Sequence, residues 1–140
     1  MHSREIDRSE WRRRLTSLEQ DGWALESGEE RQATYGEKFW LPSRADREHI
    51  RPGQSVRLLF QIQSLDDDGV AEVGVERMWA VVVGRVGEYY RAVLDNQPVS
   101  IDAGYLDEGI EFLFKAEHVI AIEDPPEDYL RRKFGHRLQL

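Results

Sequence analysis

Six polar residues stand where chemistry could arise: Glu76, Arg77, Asp95, Asn96, Glu117 and His118. A carboxylate beside an imidazole is the smallest acid/base pair, so Glu117-His118 is the first place to look for catalysis. Adjacent residues on a strand point to opposite faces, which parts the two groups and favours a structural histidine bonded to nearby backbone. The other histidines, His2, His49 and His136, lie far apart and form no HExxH pattern. With no cysteine in the chain, thiolate catalysis, iron-sulfur clusters and cysteine-bound zinc are excluded. Ser43, Ser55, Ser64 and Ser100 occur in no GxSxG context, and the glycines form neither a phosphate loop nor a dinucleotide fingerprint. No catalytic residue, metal ligand or cofactor is expected.

Binding is the better use of these side chains. Glu76, Arg77, Asp95 and Asn96 are polar anchors at a strand start and a tight turn, and Trp79, Tyr90 and His118 complete the candidate set. Arg77 shares a strand face with Trp79, a spacing that permits a cation-π pair. Trp79 and Tyr90 together would wall a small-molecule pocket. The plainer role of Asp95 and Asn96 is to shape the turn before Pro98.

The chain carries 19 Lys+Arg against 27 Asp+Glu, net −8, and its last ten residues hold four cations and no acid, leaving −12 on the rest. Such a surface repels nucleic acid and anionic lipid and attracts a basic partner in a salt-dependent way. No apolar run reaches the ~20 residues of a bilayer span, and the N-terminus lacks a secretory h-region. Together with the missing cysteine this leads to the expectation of a cytoplasmic protein.

These residues need a sheet to position them. Val75–Val83 and Glu88–Leu94, parted by Gly84-Arg85-Val86-Gly87, read as a central hairpin. Val56, Leu58, Phe60 and Ile62 alternate with Arg57, Leu59, Gln61 and Gln63 in a strand over 56–63, and further strands are expected over 110–115 and 118–123, with a short one at Val99–Ile101. Asp66-Asp67-Asp68-Gly69 reads as an acidic loop within 65–74, since a calcium loop would need flanking helices and a terminal Glu. A helix from Arg4 to Gln20 is expected from Trp11, Leu15 and Leu18; Trp23–Leu25 is an apolar patch, and Glu26–Gln32 reads as connection. Phe39–Pro42 should be extended, Ser43 should cap a short helix ending before Pro52, and Asp124-Pro125-Pro126-Glu127 should open a C-terminal helix ending near Gly135. Ile50-Arg51-Pro52-Gly53 before one strand echoes Leu106-Asp107-Glu108-Gly109 before another, which suggests one turn-plus-strand device used twice. The expected architecture is a single α+β domain over 1–140: an N-terminal helix in 1–22, a strongly bent antiparallel sheet or small open barrel of five to six strands in 23–123, and a C-terminal helix with a basic tail in 124–140.

Phe39-Trp40-Leu41-Pro42, Pro52-Gly53, Arg57–Phe60, Glu76-Arg77-Met78-Trp79, Leu94-Asp95-Asn96-Gln97-Pro98 and His118-Val119-Ile120, in this order, resemble bacterial domain-of-unknown-function family 2314. Ala92 stands where that family would have glycine, and Glu108-Gly109 replaces its commoner Gly-Asp. The resemblance implies a small α+β protein and brings no assigned chemistry. Of the functions open to such a chain, a non-catalytic protein-interaction module, for example an immunity or antitoxin-type inhibitor with a basic partner, ranks first. A small-molecule binding domain with an aromatic pocket ranks second, and an enzyme using His118 with a carboxylate third.

Overall fold

Apolar alternation in the chain's middle builds one antiparallel sheet, and everything else is draped on its two faces. The computed structural model describes residues 7–99 and 106–138. Strand β1 (Trp23–Glu26) is followed by α2 (Gly28–Tyr35) and α3 (Arg44–Glu48), then β2 (Ser55–Leu65), β3 (Ala71–Val86), β4 (Tyr89–Leu94), β5 (Glu111–Lys115), β6 (Val119–Glu123) and α4 (Glu127–Leu138); α1 (Leu18–Asp21) precedes β1. The strands pair antiparallel in the order β1-β2-β3-β4-β5, and β6 pairs β2 beside the segment that β1 leaves free. Only the turn Ala116–His118 separates β5 on one edge from β6 on the other. The sheet therefore curls strongly, as a half-barrel, with helices at both ends of the chain.

The concave face holds the main core. Trp23 is 2 % exposed and meets Trp11, Phe60 and Phe112 at ring-centroid distances of 5.2, 5.6 and 5.6 Å, edge-on to Trp11 and Phe112 and tilted to Phe60. Val56, Leu58, Met78, Ala80 and Val82 join them, as the alternation requires. The convex face is covered in two places: Leu130 and Phe134 of α4 pack on Val81 and Val93, while Leu41 packs with Leu59 and Ile120. This explains why both faces of the central strands are apolar.

The expected repeated turn is real, down to its hydrogen bonds. Gly53 and Gly109 have φ of +96° and +94°, conformations a side chain disfavours. The Gly53 N–H donates to Val82 O (2.8 Å) while the Val82 N–H donates to Gln54 O (2.9 Å); Gly109 and Ile110 form the same pair of bonds with Leu94 (2.8 and 2.9 Å). Ile50 and Leu106, three residues before each glycine, are both buried. Ser43 also caps α3, its Oγ accepting from the Asp46 N–H at 3.1 Å.

Several expectations are corrected. The first helix does not run through: Arg8–Arg12 is a 3-10 turn and α1 begins anew at Ser17, whose Oγ accepts from the Gln20 N–H. The cause is Asp21, a carboxylate 2 % exposed that accepts from Trp11 Nε1 (2.9 Å), Arg14 Nη1 (2.8 Å) and the Ser17 N–H (2.9 Å), folding the segment back on itself. Glu26–Gln32 is no connection; it holds the end of β1 and the start of α2, capped by Ser27 with Glu30 at the third position. The acidic loop is a tight turn in which Asp66 Oδ1 accepts from the N–H groups of Asp68 and Val70, so residues 71–74 belong to β3. The central hairpin turns at Gly87-Glu88, and Val83 is a bulge that transfers Gly84 to the convex face opposite Arg91. Helix α4 starts at Glu127 and passes Gly135, with Asp124 accepting from Gln54 Nε2. The strand expected at Val99–Ile101 lies largely outside the described residues.

Candidate functional site

Trp79, Asp95 and Asn96 come together. Asn96 Oδ1 accepts from the Trp79 N–H through a short bond, and the Asp95 N–H donates to Trp79 O at 2.9 Å, so this turn closes the ladder where β4 stops. Asp95 is itself occupied, its Oδ2 accepting from the Tyr129 hydroxyl and its Oδ1 from Lys133 Nζ, each at 2.5 Å. A groove of about 530 Å³ runs over Trp79 between the sheet and α4, with Ser55, Glu123, Pro125, Pro126 and Tyr129 among its walls.

Arg77 and Trp79 do not stack on each other, because neighbours two apart on one strand are farther than directly opposed residues. Trp79 faces Arg57, its register partner on β2, with the guanidinium 5.8 Å from the ring centroid, and Arg77 lies 5.8 Å from the Phe39 ring. The aromatic pocket of Trp79 and Tyr90 is not formed. Tyr90 is 1 % exposed on the concave face, stacked on Phe114, its hydroxyl donating to Arg47 O at 3.1 Å, whereas Trp79 is on the convex face. The edge of Tyr90 reaches a second cleft of about 490 Å³, where Arg44, Arg85 and Lys115 face Glu48, Glu88 and Glu117.

His118 is 5 % exposed, and its Nδ1 accepts from the Lys115 N–H at 2.9 Å. Burial, aided by the Lys115 charge, pushes its pKa down to about 4, so the ring is neutral at pH 7. Glu117 Oε1 at 3.8 Å from Nε2 therefore faces a neutral imidazole, and burial outweighs that proximity. The pair sits in a 3-10 turn, so the strand argument for their separation does not apply; what sets the ring apart is its burial and the Lys115 N–H on its Nδ1. Among the described residues no group of three or more His, Asp or Glu is arranged to hold a metal ion, and no helix is long and apolar enough to cross a membrane.

The feature that sequence reasoning missed is the edge of β3. β4 pairs β3 only from Ala80 onward, β1 pairs β2 only as far as Ile62, and the β2-β3 hairpin continues to Leu65↔Ala71, two-stranded among the described residues, as an arm. Val82 bonds the β2 side and Trp79 the β4 side, so alternation directs the N–H and C=O of Val73, Val75 and Arg77 toward the side where β4 has ended. Val73 and Val75 are 50 % and 41 % exposed. Residues 63–75 carry Asp66, Asp67, Asp68 and Glu72 and no cation. Glu76, the next residue, accepts from the Val99 N–H at 2.7 Å and is held rather than presented.

No family model, no curated protein and no solved structure matches this chain.

Proposed function

We propose that this protein is a non-catalytic interaction module that binds a basic protein partner through the β2-β3 arm. The observation that carries the reading is the arm itself: a two-stranded projection bearing four carboxylates, no cation and a row of exposed apolar side chains. Natural sheets protect such edges unless something covers them, and an apolar centre with a charged rim is the composition of a docking surface. The role of an immunity or antitoxin-type inhibitor, which covers a basic surface of another protein, belongs to this class, and the resemblance to family 2314 leaves it open. This reading moves the contact from Asp95 and Asn96, whose side chains already serve α4 and Trp79, to the arm.

The test is capture of a cationic protein from a cell lysate at low salt by the wild type and by Asp67→Asn/Asp68→Asn/Glu72→Gln. These three side chains are exposed, and Asp66, which builds the turn, is left intact. Capture by the wild type that fades with salt and with the triple variant supports the reading; equal capture by both proteins places the contact elsewhere.

A further inference from the structure

We infer that the edge of β3 from Val73 to Arg77 accepts an extended basic segment of the partner as an added strand, an inference that rests on the interaction-module reading above. Backbone supplies the affinity in this mode, because three successive outward residues, Val73, Val75 and Arg77, offer their N–H and C=O groups along one line. Among the described residues no strand pairs with this edge.

Side chains set which segment fits. A residue directly across a ladder shares its neighbour's face, so positions opposite Val73 and Val75 lie on the convex, apolar side. The alternate positions fall beside Glu72 and Gly74; Glu72 offers a carboxylate there, and Gly74 puts no side chain of its own in the way. The segment that matches is one alternating Val, Ile or Thr with Lys or Arg. A second copy of this chain is a poor match, since pairing the edges would bring together two arms that each carry Asp66–Asp68 and Glu72 on chains of net −8.

The geometry provides a substitution that tests the backbone alone. Val75 points its N–H away from β2, so Val75→Pro removes an outward donor and leaves the β2-β3 bonds of Gly74 and Glu76 in place. The probe is a fluorescent decapeptide alternating Val and Lys, followed by anisotropy at low salt, beside the same peptide N-methylated at every second residue. Binding by the wild type, weakened at least about tenfold by Val75→Pro and by N-methylation and several-fold by added salt, supports strand addition. Hydrogen exchange of the free protein gives an independent measure: Val73, Val75 and Arg77 amides should exchange quickly while Gly74 and Glu76 are protected, and protection at the first three would overturn the open edge.

Peptide that binds Val75→Pro and the N-methylated form as tightly as the wild pair would refute strand addition while leaving an electrostatic interaction module standing. No binding of either peptide at millimolar concentration would remove the arm as a basic-segment site altogether. Sedimentation as a dimer that Val75→Pro converts to monomer would assign the edge to a second copy and also refute the proposal. A melting temperature of Val75→Pro within a few degrees of wild type keeps these outcomes readable.

Discussion

Lys133 Nζ lies 2.5 Å from Asp95 Oδ1, an ion pair that ties the outer side of α4 to the turn ending β4. The Asp95 side chain is 10 % exposed and also accepts from Tyr129, so one carboxylate holds two successive turns of the helix. Asp95→Ala is expected to cost about 2 kcal/mol, between a surface pair and a buried one, measured by denaturant midpoint. Hydrogen bonding to Asp95 raises the Lys133 pKa above its unfolded value. Burial, together with Asp95, raises that of Tyr129. Both groups favour the fold in their protonated forms, so this stabilisation is present below pH 10 and is lost above it. An Asp95→Ala penalty that stayed constant from pH 8 to 11.5 would contradict the linkage.

His118 makes the opposite end of the pH scale informative. Its folded pKa of about 4 lies below the unfolded value of 6.5, so the unfolded chain takes up the proton first as pH falls. Stability is unaffected above pH 6.5 and declines from there to about pH 4, by on the order of 3 kcal/mol in all. His118→Gln should flatten that part of the profile. A proton NMR titration near 6.5 of the imidazole signal that His118→Gln removes would show that the ring is not buried as described.

Asp21 is the buried carboxylate of the N-terminal segment. Burial opposes its charge, but donations from Arg14, the Ser17 N–H and Trp11 together hold its pKa below the usual range. Removing it strands Trp11 Nε1 and the Ser17 N–H, so Asp21→Ala is expected to lose about 3 to 4 kcal/mol. A change in the emission of Trp11 should accompany the loss. A penalty under about 1 kcal/mol would mean the segment rebuilds its bonds without it.

The tryptophans rank by depth. Trp23→Ala should cost about 3 to 5 kcal/mol, since its ring is enclosed by three aromatics. Trp79 is half-buried, so Trp79→Ala is expected to cost about 1 to 2 kcal/mol, less than full burial would imply. Equal losses at the two positions would place Trp79 in a closed core.

The paired turns predict paired penalties. Gly53→Ala and Gly109→Ala each force a side chain into a positive φ, and each should cost about 1 to 2 kcal/mol. Thermal melts of the two single variants test whether the turns are energetically alike, as their hydrogen bonds are.

What the sequence by itself determined is local. Alternation from Val56 to Ile62, the Ser43 cap, and a buried apolar residue three positions before each turn glycine are all legible, because they depend on side-chain period and on backbone conformations only certain residues adopt. The Ser27-x-x-Glu30 cap of α2 was legible too, but that helix has little apolar periodicity to announce it. Tertiary structure decided the rest. Asp21 became a hub only when Trp11 and Arg14 folded back on it, and the periodicity of Trp11, Leu15 and Leu18 is blind to that long-range bond. Trp79 and Tyr90 lie on opposite faces, and Asp95 serves a helix more than thirty residues later. Among the described residues, the unpaired edge of β3 is a relation between strand lengths: β4 ends at Leu94 while β3 extends back to Ala71, and no single strand's sequence records where its neighbour stops.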